Sequence, residues 1–131
     1  MKTINIIKIV TTTVGGLLGH FLGGFDAMLV TLITFITIDY ITGVMNGILA
    51  KKLSSETGFK GIFKKIFILL MVGIATKLDL AIGIEGIRYI VISFYIANEG
   101  ISILENATLI GLPVPKKIKE VLEQIKNKES D

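Results

Sequence analysis

The sequence predicts an all-α integral membrane protein with three to four transmembrane helices, four preferred, and a short amphipathic helix at its C-terminus. Three observations carry this. The 131-residue chain is 51% hydrophobic with a mean hydropathy of +0.72, far above a soluble domain of its size. Its apolar residues gather into four runs, about 4–22, 27–50, 66–84 and 87–106. A run of ~20 residues rising 1.5 Å per residue crosses ~30 Å of hydrocarbon. Most lysines fall between or after those runs. The length bounds the chain to one domain, 1–131. Without cysteine there is no disulfide framework, thiolate metal site or thiol nucleophile. A single histidine, His20, does not assemble an acid–base or metal constellation. The expectation is therefore no enzyme activity, no cofactor and no metal.

The first run reads as a retained span rather than a signal peptide, because Lys8 interrupts it and no A-x-A-like cleavage site follows. Gly15, Gly19 and Gly23 form two consecutive small-xxx-small steps. In lipid such glycines let helices approach closely. They predict a helix–helix or subunit seam; the alternative is that they only loosen a marginal helix lying in the interface. His20 is placed near the membrane surface.

After Gly23-Gly24 and Asp26 comes the second run, 27–50. Thr31, Asp39, Thr42 and Asn46 share an arc of about 80° on a helix. Gly43 and Gly47 give another small-xxx-small step beside it. Asp39 lies mid-span. Two roles fit it equally: an interhelical hydrogen bond to a Thr, Asn or Lys, or a pore-lining or gating charge. Both face it toward protein or water.

Residues 51–65, KKLSSETGFKGIFKK, read as a turn-rich polar loop carrying Lys51, Lys52, Lys60, Lys64 and Lys65 against Glu56. The positive-inside rule keeps this basic loop cytoplasmic. A nucleic-acid patch is disfavoured, because the loop is short and flanked directly by spans. The third run, 66–84, is cleanly apolar only over 66–76, and Lys77 and Asp79 follow. Lys77 with Asp79, and Glu85 with Arg88, leave the next connection neutral, as an external loop should be.

The fourth run, 87–106, is greasy but striped. Arg88, Tyr95, Glu99, Ser102 and Asn106 fall within an arc of about 60°, with Asn98 counted in the same polar set. An ionisable residue inside a membrane helix costs about 2.5–3.5 kcal/mol on insertion scales. Such a stripe is tolerated only against protein or water, which predicts a polar interface or pore. Pro113 and Pro115 then stop the helix. In the tail, 113–131, Ile118, Val121, Leu122 and Ile125 recur at i, i+3, i+4, i+7 among lysines. That is a short amphipathic helix, resting on an anionic leaflet, binding another protomer, or solvated. Four spans with both ends cytoplasmic satisfy every basic and neutral segment. A three-span arrangement, with the first run in the interface or outside, keeps the central loop and tail cytoplasmic too.

Three motifs carry a family resemblance: Ala97-Asn98-Glu99-x-x-Ser102-Ile103-x-Glu105-Asn106 followed by Gly111-Leu112-Pro113-Val114-Pro115; Asp39-Tyr40-x-x-Gly43; and Ser54-Ser55 with Gly58, Gly61 and Lys64-Lys65. Over roughly 35–125 the chain resembles the toxin-secretion/phage-lysis holin family of phages of Gram-positive bacteria. The first 30 residues carry no motif of that family. The resemblance implies a multi-pass protein of the bacterial cytoplasmic membrane, with about three spans and a basic cytoplasmic tail. It implies self-assembly into homo-oligomers and lesions that release an endolysin or a toxin. Asp39, Thr42, Asn46, Arg88, Tyr95, Asn98, Glu99, Ser102 and Asn106 are then the polar residues that line or gate. Gly15, Gly19, Gly23, Gly43 and Gly47 pack helices. Three other readings compete. An antiholin or membrane adaptor would share the sequence. A small multidrug-type antiporter would pair its acid with Trp, which is absent. A membrane enzyme finds no nucleophile–base pair.

Overall fold

The computed structural model describes residues 1–130, so Asp131, the last residue of the expected tail, lies outside the described residues. Five helices follow one another: α1 Lys2–Leu22, α2 Ala27–Leu49, α3 Ser55–Ile82, α4 Ile87–Leu109 and α5 Lys116–Ser130. No strand occurs among the described residues. The starts of α2, α3 and α4 each have a chemical cause. Asp26 caps α2 by accepting from the Leu29 N–H at 2.9 Å. Ser54 caps α3 by accepting from the Thr57 N–H at 3.2 Å. Gly86 has no side chain with which to cap α4, and Asp79 of α3 supplies the carboxylate instead. It accepts from the Ile87 and Arg88 N–H groups at 2.9 and 3.0 Å. Gly23 and Gly83, at φ 86° and 76°, end α1 and α3 in the left-handed conformation that favours glycine.

The helices α2 and α4 run parallel and pack along their length, with α3 antiparallel against both. Their shared core is small: Leu29, Leu32 and Ile36 of α2, Ile68 and Val72 of α3, Ile92 of α4, and Leu22 at the end of α1. Much apolar surface points outward instead, including Ile38, Ile41 and Met45 of α2 and the row Phe59, Phe63, Phe67 on α3. A chain greasy both inside and out suits a hydrocarbon solvent. Helix α1 is held only at its end. Gly19 and Leu22 are its buried residues, the Phe21 ring lies on Gly73 of α3, and the Lys77 ammonium sits 5.9 Å from that ring's centre. Helix α5 folds back along α4.

Among the described residues, three helices are long and apolar enough to cross a membrane: α1, α2 and α4. The preferred count of four is not met on length and composition. The third run fails because Lys65 precedes its clean stretch and Lys77 and Asp79 follow it. The expected loop 51–65 is corrected as well. Only 50–54 is non-helical, and Ser55–Ile82 is one helix of 28 residues. The serines that read as a turn are a helix cap and its first residue, and Gly58 and Gly61 sit inside the helix against Tyr40. Ser54→Ala is accordingly expected to destabilise by about 1 kcal/mol, with Ser54→Asp close to neutral, measured by thermal unfolding in detergent.

Candidate functional site

Asp39 stands twelve residues into α2 (39 − 27) and Glu99 twelve residues into α4 (99 − 87). Because the two helices run parallel, the carboxylates meet at one height, ~18 Å from the helix starts at 1.5 Å per residue. Lys65 reaches between them from α3. Its Nζ donates to Asp39 Oδ2 and, at 2.6 Å, to Glu99 Oε2. The side chains are little exposed: 20% for Lys65, 8% for Asp39 and 3% for Glu99. Asn106, about two turns below Glu99, closes the other side. Its Nδ2 donates to Asp39 Oδ1 at 3.0 Å, to Thr42 Oγ1 at 2.8 Å and to the Asp39 carbonyl at 3.3 Å. Asn46 Nδ2 donates to the Asn106 carbonyl at 2.9 Å. Among the described residues no buried side-chain nitrogen or oxygen lacks a partner.

Local sequence explains how α3 comes close enough. Gly61 and Gly58 leave room for the Tyr40 ring, whose Cε2 would lie 3.4 Å from a Cβ at Gly61. Tyr40 Oη donates to the Gly58 carbonyl at 3.4 Å. A cleft of about 560 Å³ opens from the three charges to the outside, past Lys60, Lys64, Phe63, Tyr95, Asn98 and Ser102. Two carboxylates sharing one ammonium would leave one excess negative charge if both were ionised. Breaking such a buried pair is costly, whereas an apolar replacement of the whole set is often neutral. In this structure the two carboxylates are sealed by Lys65.

A second polar cluster lies at the opposite end. The Arg88 guanidinium donates to the Leu22 carbonyl at 2.7 Å, the Gly24 carbonyl at 2.9 Å, and Asp26 at 2.7 and 3.3 Å. This clasp ties the turn 23–26 to the start of α4, while Asp79 caps the same helix. The hydrogen bond from Arg88 holds the Asp26 carboxyl below its ordinary range. A lowered carboxylate contributes stability at neutral pH and loses it as acid titrates it.

The expected polar stripe is thus divided. Asp39, Thr42, Asn46, Glu99 and Asn106 come together. Asn98 and Ser102 line the cleft. Tyr95 packs against the apolar core and edge-on to Phe94. Arg88 does not join them, because eleven residues (99 − 88) set it ~16 Å along the same helix face. Lys65, expected only to set topology, is the cation of the site, whereas Lys51, Lys52, Lys60 and Lys64 are exposed. Its role was hidden because residues 55–65 read as a loop; the usable signal was the matched twelve-residue offset of the two acids, which calls for a cation or a shared proton between them. Of the packing glycines, Gly15 meets nothing within the protomer and Gly19 meets the Phe25 ring. Gly23 caps α1 at φ 86° and also packs closely, since a Cβ there would stand 2.5 Å from Arg88 Nε and 3.0 Å from Thr76 Oγ1. Gly47 meets Leu53 of the turn rather than another helix, and Gly43 faces the Asn106 amide.

Comparison with known proteins places the chain in a family. The profile described as "Bacteriophage holin family" matches residues 16–127. A 14.9 kDa protein encoded in the nagH 3' region of Clostridium perfringens is 43% identical over 127 residues, 95% of this chain and 96% of the relative. A Listeria innocua protein is 43% identical over 118 residues, 89% of this chain and 84% of its own. The YtkC protein of Bacillus subtilis is 32% identical over 111 residues, 84% and 83% of the two chains. These relatives are themselves uncharacterized. No solved structure matches.

Proposed function

This chain belongs to the bacteriophage holin family, and from that premise we propose that it accumulates in the bacterial cytoplasmic membrane, self-assembles, and opens lesions that pass an endolysin or a toxin. The observation that carries the reading is the Asp39–Lys65–Glu99 set, buried between helices of a membrane protein. Ionisable groups in that setting mark pathways or switches. In the sealed packing Lys65 and Asn106 satisfy both carboxylates inside one protomer. In the open packing the same groups, turned toward the cleft, line water shared between protomers. Two packings of one bundle differ by a few kcal/mol, and moving one charge through 100 mV is worth about 2.3 kcal/mol. Loss of membrane potential then tips the balance, and opening is abrupt. The exposed apolar rows of α2 and α3, such as Phe59, Phe63 and Phe67, face lipid.

Glu99→Gln tests this. It removes one of the two acids that share Lys65 and leaves a balanced Lys65–Asp39 pair, so the sealed packing gains. At matched expression the onset of lysis is expected to be delayed relative to the parent. Unchanged onset and unchanged lesion size would mean that these groups only hold the bundle together.

A further inference from the structure

Helix α5 lies in a groove on the very helices that cross the membrane. Leu122 meets α4 at Gly100, where its Cδ1 stands 3.0 Å from the place a Cβ would occupy, and Phe35 of α2 approaches the same point at 3.3 Å. Gly100, with Ala97 and Ile101 beside it, is buried. Gly100 is nine residues from the end of α4 (109 − 100), ~14 Å inward at 1.5 Å per residue. Yet α5, KKIKEVLEQIKNKES, carries five lysines and three glutamates in fifteen residues. A helix so charged is disfavoured in hydrocarbon at that depth. Insertion of α4 as a span and docking of α5 on its middle therefore compete.

Three further observations say which gives way. The docking uses half of the apolar face of α5: Leu122 and Ile125 are partly covered, while Ile118 and Val121 stay 50% and 46% exposed. A cleft of about 650 Å³, lined by Leu104, Glu105, Thr108 and Lys119 among others, separates the first turns of α5 from α4. The connection 110–115 is non-helical, with Gly111 at φ 95° and two prolines that keep it from joining the two helices into one. Leu109 and Leu112 at the connection are exposed like Ile118 and Val121, and so are Lys116, Lys117 and Lys119 between them in the chain. An apolar edge bordered by lysines fits the boundary of an anionic leaflet.

We propose that α5 is a membrane-operated strap: it covers the Gly100 face of α4 in the free chain, and on an anionic bilayer it swings about residues 110–115 to lie on the headgroups and uncovers that face. The inference rests on the membrane reading, not on lesion formation, and its test reads no leakage. The chain has no native cysteine, so Thr34→Cys and Gln124→Cys together take two spin labels at exposed positions on α2 and α5. The labelled chain is diluted into unlabelled chain, and pulsed electron-paramagnetic-resonance distances are measured in detergent, in phosphatidylcholine vesicles and in vesicles containing phosphatidylglycerol. A single short distance is expected in detergent. Because α5 is ~22 Å long, lengthening by about 15 Å is expected in the anionic vesicles. Replacing Lys116, Lys117 and Lys119 with Gln is expected to return most of the population to the short distance there. The same short distance in anionic vesicles overturns the proposal. So does equal lengthening in phosphatidylcholine alone, because the headgroup charge would then play no part. Failure of lysis with the distance change intact counts against the lesion reading and not against the strap.

Discussion

Replacing Lys65 with Met is expected to be the most damaging single change in the chain. It removes the ammonium shared by Asp39 and Glu99, whose side chains are 8% and 3% exposed. Removing one partner of a buried pair costs about 3–5 kcal/mol, because the remaining charge stays uncompensated; here two carboxylates are left facing each other. Asn106 satisfies one oxygen of Asp39 but supplies no charge. The variant is expected to lose its cooperative thermal transition in detergent, or to fail to accumulate. The same argument predicts its rescue. Lys65→Met combined with Asp39→Asn and Glu99→Gln replaces three charges by neutral groups of similar shape, and is expected to recover most of the lost stability. A single variant as stable as the parent would show that the ion pairs do not hold α3 to α2 and α4.

Arg88→Ala is expected to have the second largest effect, and a different one. The guanidinium makes hydrogen bonds to two carbonyls and to Asp26 from a position 15% exposed on its side chain. Hydrogen bonds to charged groups are worth about 1.5–3 kcal/mol. Since Asp26 is half exposed and retains its cap bond to Leu29, a net loss of about 2–3 kcal/mol is expected. That loss is local. Helix α1 is otherwise attached through Phe21 and Leu22, so it should separate from a bundle of α2, α3 and α4 that stays folded. Limited proteolysis is expected to cut within 23–26 in the variant and not in the parent. Arg88→Lys should not restore protection, because one ammonium does not span the three acceptors that the planar fork reaches. Global unfolding without selective cleavage would contradict the clasp as an attachment of α1.

The contrast between these two residues explains what the sequence made legible. The helices α2 and α4 were plain, because their apolar runs are long and their ends are marked by Asp26 and Pro113. The placement of Asp39 and Glu99 toward protein followed from the cost of a charge in lipid. Membership of one helical stripe misled for Arg88, since a stripe gives the face of a residue and not its height, and the clasp is at the far end from Glu99. Residues 55–65 misled for a different reason. Serine and glycine mark turns, but here Ser54 accepts a helix N–H and Gly61 makes room for an aromatic ring from another helix. Tertiary contact decided between those uses, and no local pattern carries it. The docking of α5 on Gly100 was invisible in the same way: the amphipathic period of 118–125 was clear, its partner was not.

Opening of the sealed bundle to pass a folded protein, as proposed, is read by following membrane potential and protein release together. The chain is expressed from an inducible promoter in a bacterium, and membrane potential and release of a folded cytoplasmic reporter are followed together. The account predicts a silent delay, then collapse of the potential and release of the reporter in the same interval, with Glu99→Gln delaying both. Collapse with the reporter retained would contradict a lesion large enough for a protein, and no collapse at any expression level would contradict lesion formation itself.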